Sequence, residues 1–308
     1  MSKQAWVFPG QGSQFLGMLD DLASEYPTVK STYAAASEVL KYDLWDVVNN
    51  DEEKLGQTQI TQPALLAASY AIFKILQENN LPLPAYMAGH SLGEYSALVC
   101  AGVIDFKNAI KLVEARGQFM QKAVPQGVGA MYAIIGLDDE KVIACCKQAQ
   151  IDSDMVVAAV NFNSPGQVVI AGNKEAAEIA AVLCKEQGAK RALPLPVSVP
   201  SHCALMKPAA DKLAALLNDV SFSTPQIPVV NNVDVAMETD PTVIKQALIA
   251  QLYSPVRWTE TVNQLHEVGV DNLYELGPGK VLTGLTKRIN KALTCKAIGS
   301  LASVSDLK

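Results

Sequence analysis

Between residues 85 and 101 the chain passes from Ala-Tyr-Met-Ala-Gly-His, an apolar run short enough for a buried strand, into Leu-Gly-Glu-Tyr-Ser-Ala-Leu-Val-Cys-Ala, a helical pattern. Ser91 stands at the corner, with Gly89 and Gly93 two positions to either side. A strand that reverses sharply into a helix strains its corner residue and leaves no room for side chains at those flanking positions. The segment therefore commits the chain to a strand-turn-helix unit whose corner presents one hydroxyl, and Ser91 becomes a candidate nucleophile. A glycine-rich helix entry without chemistry gives the same local pattern, so the assignment depends on residues that could serve the serine.

The rest of the chain supplies a frame for that corner. Gln4 to Phe8 reads as a strand ending in Pro9-Gly10-Gln11-Gly12-Ser13, and Gln62 to Gln77 reads as a helix opened by Thr61-Gln62-Pro63, with proline near the helix start. A strand over Ala85–His90 and a helix from Leu92 to about Ala101 follow. Strand and helix in alternation imply an α/β fold with a parallel sheet, which places its sites at the carboxyl ends of its strands. Two such ends carry Gly10 and Ser91.

From Gly127 the pattern changes to strand (Ala130–Ile135), helix (Glu140–Ala149), strand (Met155–Phe162), strand (Gln167–Ala171), helix (Lys174–Gln187) and strand (Lys190–Leu195). A β-α-β-β-α-β order is that of the small ferredoxin-like arrangement. Pro125 and Gly127 mark one edge and Pro194, Pro196 and Pro200 the other. Residues 127–197 are therefore expected as an inserted subdomain, with 1–126 and 198–308 forming the larger one. Beyond the insertion, helices are expected over Ser201–Asn218, Val243–Tyr253 and Trp258–Val268, and strands over Pro228–Asn231 and Asn272–Leu276. The loop Gly277-Pro278-Gly279-Lys280 lacks the spacing of a phosphate-binding GxxxxGK[ST] loop.

At 308 residues and 49% hydrophobic composition the chain is long enough for one large core and an inserted smaller one. Its 25 basic and 31 acidic residues, without a Lys/Arg block, argue against nucleic acid as a partner. Six cysteines with no CxxC pair and no zinc-like spacing indicate neither a metal site nor a disulfide ladder. No secretory leader and no apolar run of about 18 residues is present. A cytoplasmic protein, off the membrane, is expected.

A serine hydroxyl needs a base, for which histidine is suited because its pKa lies near neutrality. The chain holds three histidines. His90 adjoins the nucleophile on the strand and should point the other way, as a structural neighbour that packs or hydrogen-bonds behind the turn. His266 falls in a helical pattern, Trp258-x3-Val262-x2-Leu265-His266, where a surface role is simpler. His202, in the Ser/Pro-rich turn where the chain leaves the insertion, remains as the base. No acid among Asp105, Asp138, Asp139, Asp152 and Asp154 ends a strand of the main sheet, so a dyad is expected, with the imidazole N–H held by an amide or a backbone carbonyl. Arg116 lies among small and apolar residues one helix after the turn, and a guanidinium there requires an anion. Glu114 or another protein carboxylate is one candidate, and a substrate carboxylate gripped through two parallel hydrogen bonds is the other.

Together, Phe8-Pro9-Gly10-Gln11-Gly12-Ser13-Gln14, Thr61-Gln62-Pro63-Ala64, Gly89-His90-Ser91-Leu92-Gly93-Glu94, Arg116, Pro200-Ser201-His202 and Glu275-Leu276-Gly277-Pro278-Gly279 resemble the malonyl-CoA:acyl-carrier-protein transacylases over essentially the whole chain. The resemblance implies an α/β-hydrolase-like subdomain with a parallel sheet core plus the inserted ferredoxin-like subdomain. It implies Ser91 as nucleophile, His202 as base, and the backbone N–H groups of Gln11 and Leu92 as the oxyanion hole. Leu92 also begins a helix, whose N-terminal dipole favours developing negative charge. By the same resemblance Arg116 binds the malonyl carboxylate, and the main-chain carbonyl of Gln251 orients the histidine. Gln62 and Asn161 stand near the pocket, and Met120 and Ser201 line it.

The implied activity is ping-pong transfer of malonyl from a coenzyme A thioester, malonyl-CoA, to the phosphopantetheine thiol of acyl carrier protein, with no metal or bound cofactor. A monomer is expected, and Lys190, Arg191, Lys287 and Arg288 are candidates for a basic rim facing the carrier. A serine esterase or thioesterase shares the GxSxG turn but should carry a third, acidic member and release the acyl group to water. A polyketide-pathway acyltransferase would keep the chemistry, and a carrier-binding scaffold would keep only the fold. The chain begins seven residues before Phe8 without flanking synthase modules, so a discrete enzyme is the simpler expectation.

Overall fold

A computed structural model describes residues 3–197 and 199–307. Met1, Ser2, Ser198 and Lys308 lie outside the described residues, and with them the expected boundary position Ser198. Nine strands are described: β1 (Lys3–Phe8), β2 (Tyr86–Gly89), β3 (Gly129–Ile135), β4 (Val157–Ser164), β5 (Gln167–Asn173), β6 (Arg191–Pro194), β7 (Val229–Val230), β8 (Val270–Leu276) and β9 (Thr294–Ile298).

Five of them form a parallel sheet in the order β7-β2-β1-β8-β9. A parallel sheet is covered on both faces, so its strands read as continuous apolar runs. In the central strand β1, Ala5, Trp6, Val7 and Phe8 are all fully buried. Their side chains alternate between two cores, as a period of two requires. Trp6 and Phe8 pack with the helices that include Leu65, Ile72 and Val113, whereas Ala5 and Val7 pack with Trp258, Val262 and Leu265 on the opposite face. β1 pairs with β2 so that Phe8 lies beside Gly89, which brings the two glycine-rich turns together.

The other four strands form an antiparallel sheet in the order β4-β5-β3-β6. Its first face holds the helices Asp139–Ser153 and Lys174–Glu186, with Ile134, Val168 and Ile170 against Val142, Ala177 and Ala180. This is the ferredoxin-like order expected from the sequence. Its second face turns Met131, Val160, Val169 and Ala171 toward Cys203, next to His202. The two sheets meet through a short bridge in which Val256 N–H donates to Val160 O at 2.8 Å and Phe162 N–H donates to Val256 O at 3.0 Å. We propose the chain division 1–126 with 198–308, and 127–197, because backbone pairing between the units is confined to this bridge among the described strands.

Several elements differ from the sequence pattern. The helix expected from Gln62 spans Thr58–Glu78, so Pro63 sits inside it, past the first turn. The helix expected from Ser201 begins only at Lys207, after a 3-10 turn at Ala204–Met206, because His202 itself takes a left-handed φ of 65° that cannot belong to a helix. The strand read at Met155–Phe162 is β4, two residues further on. No helix among the described residues is long and apolar enough to cross a membrane.

Candidate active site

Ser91 caps the helix Leu92–Cys100 with φ 53° and ψ −109°, a conformation L-residues rarely hold. The glycines around it are required by contact. A Cβ on Gly89 would lie 1.9 Å from the Gly93 carbonyl carbon, and one on Gly93 would lie 2.0 Å from Phe8 O. The strained corner is held from behind by the Asn232 side chain. Its Oδ1 accepts from Ser91 N–H at 2.7 Å, and its Nδ2 donates to Gly89 O at 2.7 Å.

The Ser91 hydroxyl and His202 Nε2 are 2.8 Å apart, and His202 Nδ1 is 2.7 Å from the main-chain oxygen of Gln251. A carbonyl can only accept, so the proton sits on Nδ1 and Nε2 keeps its lone pair toward the serine. The left-handed turn at His202 is pinned by its own N–H, which donates to Leu252 O at 3.0 Å. Burial, with the Arg116 charge beside it, holds the His202 pKa down to about 3. The imidazole is therefore neutral at pH 7.

Arg116 is 1% exposed in the middle of the helix Phe106–Ala123. It donates to Gln62 Oε1 at 2.9 Å, to Gln251 Oε1 at 2.9 Å and to Ser91 Oγ at 3.3 Å, and its guanidinium carbon stands 5.2 Å from the Tyr95 ring centre. Every acceptor is neutral. Neither of the two ion pairs among the described residues includes Arg116, so Glu114 does not neutralise it. Its Nε is buried without a partner among the described residues, and burial depresses its pKa. Such a charge is costly unless an anion completes it.

A cavity of about 120 Å³ opens over these groups and is lined by Gln11, Gln62, Ser91, Leu92, Arg116, Met120, Asn161, Ser201 and His202 together with Met131, Leu195, Val197 and Val199. All ten residues singled out in the sequence thus converge, nine on this cavity and Gln251 behind His202. Leu92 is the first residue of its helix, so its N–H has no acceptor within that helix. Gln62 also donates from Nε2 to Met120 Sδ at 3.6 Å, while Asn161 keeps a buried Oδ1 without a partner among the described residues.

His90 is hydrogen-bonded and packed beside the turn, as expected of a structural neighbour, but it borders the cavity instead of lying wholly behind it. Its Nε2 donates to Asn163 Oδ1 at 2.8 Å, with its ring 5.7 Å from that of Trp258. Of the four candidate rim residues, Arg288 donates to Gln167 Oε1 at 2.6 Å across the two units. No group of three or more His, Cys, Asp and Glu suited to a metal ion occurs among the described residues.

Asn232 and Glu94 were missed from the sequence. Glu94 is the one charge in a helix whose nine residues are all buried, which is the signal that could have found it. Asn232 follows β7, at the carboxyl end of a parallel strand, where sites collect.

The chain matches the acyl transferase domain family over residues 5–304. It is 63% identical over 305 residues to the malonyl CoA-acyl carrier protein transacylase of Haemophilus influenzae, covering 98% of this chain and 97% of that protein. With the same enzyme of Escherichia coli strain K12 it shares 59% over 306 residues, covering 99% and 98%. Among solved structures, an acyl carrier protein S-malonyltransferase from Vibrio cholerae superposes with a TM-score of 0.97 at 66% identity, over 100% of both chains. A malonyl-transacylase in complex with its type II PKS acyl-carrier protein gives 0.98 at 62% identity, over 99% of both.

Proposed function

The chain belongs to the acyl transferase domain family, among the malonyl CoA-acyl carrier protein transacylases, and from that premise we propose that it moves malonyl from coenzyme A to acyl carrier protein through an ester on Ser91. The observation that carries this reading is Arg116, a buried guanidinium that contacts the nucleophile and finds only neutral acceptors. A malonyl thioester brings the missing anion one methylene away from the carbonyl to be attacked. An acetyl group would leave the donors facing nothing, at a cost of about 1–3 kcal/mol for a buried unsatisfied group.

Malonyl-CoA enters with its carboxylate on Arg116 and its thioester carbonyl over Ser91. The Ser91 oxygen attacks while its proton passes to His202 Nε2, and the Gln251 carbonyl stabilises the imidazolium by accepting from Nδ1. The negative oxygen falls to the N–H groups of Leu92 and Gln11; one donor of this kind is worth about 10²–10³ in rate. Collapse of the tetrahedral species breaks the C–S bond, and His202 returns its proton to the coenzyme A thiolate. In the second half the phosphopantetheine thiol of the carrier gives its proton to His202 and attacks the ester, and Ser91 recovers its proton as it leaves. The cycle closes with protein groups and two thiols. Because the Arg116 charge helps to depress His202, the malonyl carboxylate that neutralises it raises the basicity of His202 when substrate arrives.

Six free cysteines fit a reducing compartment, and we place the protein in the cytoplasm. The test is partition of product. Incubated with malonyl-CoA and holo acyl carrier protein, the protein should yield malonyl-carrier well above free malonate; an excess of malonate would point to a thioesterase instead.

A further inference from the structure

Glu94 is 2% exposed, one turn into the helix that Ser91 begins, and no step of the transfer uses it. Its Oε2 accepts from Gln251 Nε2 at 2.8 Å and from Asn232 N–H at 3.0 Å. Each partner reaches back to the nucleophile's own peptide groups. Gln251 Nε2 also donates to Ser91 O at 3.1 Å, and Asn232 Oδ1 accepts from Ser91 N–H at 2.7 Å. On its other side Gln251 presents Oε1 to Arg116 at 2.9 Å.

The bonding pattern fixes which way the Gln251 amide faces. Glu94 and the Ser91 carbonyl are acceptors, and together they take both hydrogens of the Gln251 NH₂ group. Arg116 has only donors, so it must meet the amide oxygen. Rotating the amide by half a turn would set NH₂ against a guanidinium and oxygen against a carboxylate. We propose that Glu94 is a positioning residue that sets the preference for malonyl, holding the Gln251 amide oxygen on Arg116 so that the guanidinium faces the cavity with its remaining donors. The missing acid of the dyad thus has a counterpart one residue further back, acting on substrate choice through the Gln251 side chain, whereas the Gln251 main chain acts on His202.

This inference rests on Arg116 as the carboxylate anchor, so the experiment carries a control for that premise. The readout is the ratio of kcat/KM for malonyl-CoA to that for acetyl-CoA, in the full-length chain with holo carrier. Arg116→Ala should collapse the ratio; if it does not, the anchor itself fails. Glu94→Met removes both acceptor and charge, and the ratio is expected to fall about tenfold, the loss of one oriented hydrogen-bonding group. Glu94→Gln keeps an acceptor oxygen and removes the charge, so the ratio should hold or rise. Gln251→Met cuts the same link from the other end while keeping the main-chain carbonyl, and should lower the ratio to the level of Glu94→Met. The double variant should go no lower, because the two changes break one connection. A ratio unmoved or raised in Glu94→Met, a fall of equal size in Glu94→Gln, or additive losses in the double variant would each overturn the proposal while leaving the Arg116 control intact. Should Glu94→Met not fold, an unmoved ratio in Gln251→Met overturns it equally.

Discussion

The two sheets carry buried polarity very differently. Seventeen polar or charged residues are buried among the described residues, and Ser164 is the only one of them that lies between 127 and 197. The antiparallel unit is built on Ile134, Val168, Ile170 and small alanines, and it offers the cavity mainly apolar wall in Met131, Leu195 and Val197. The parallel unit buries Gln62, Glu94, Arg116, His202, Asn232 and Gln251 in one connected cluster. Buried polar groups cost free energy unless each finds a partner. One unit carries that cost around the proposed site, and the other lends the cavity mainly apolar wall.

Changes in the polar cluster should therefore strike transfer, and changes in the antiparallel core should strike stability. Ser91→Ala removes the proposed nucleophile and should lower malonyl transfer on the order of 10⁶-fold, by analogy with loss of a catalytic serine in a protease, with little change in the thermal midpoint. Arg116→Ala should lower kcat/KM for malonyl-CoA roughly 100-fold, about 2–3 kcal/mol for charge-assisted hydrogen bonds, and shift preference toward acetyl-CoA in steady-state comparison. An unchanged preference would remove Arg116 from its proposed role.

A pH profile sharpens the same contrast. The proposed base, His202, would act in its neutral form, and a pKa near 3 keeps it neutral well below the ordinary value of 6.5. The acid limb of kcat/KM in the free enzyme should then lie below pH 5; a limb at 6.5 would mean an ordinary, solvated imidazole. The sign for stability is the opposite. An unfolded His202 takes up a proton below 6.5 while the folded one does not until about 3, so stability is lost as pH falls through that window. The smallest effect on transfer belongs to Ile134→Ala in the antiparallel core. It should cost about 2–5 kcal/mol in denaturant unfolding and leave Ser91 acylation within a few fold below the midpoint.

Legibility followed the range of the interactions. The corner at Ser91 and the β-α-β-β-α-β run are local patterns, and both appear in the structure close to where periodicity put them. His202 emerged by elimination among three histidines, but its left-handed backbone, which delays the following helix to Lys207, is set by Leu252 fifty residues away. Gln251 was reached only through resemblance, since nothing around it marks a carbonyl that holds an imidazole. Asn232 and Glu94 meet across a separation of 138 residues, which no window of sequence contains. β9 escaped notice because this edge strand is mostly half-exposed or exposed, without the apolar run that marks β1.

Intact-mass and peptide mass spectrometry after brief exposure to malonyl-CoA, with no carrier present, tests the dyad and anchor together. The expected result is a single malonyl adduct on Ser91, absent in Ser91→Ala and discharged when holo carrier is added. An unmodified protein, or an adduct on another residue that carrier still discharges, would contradict Ser91 as the nucleophile.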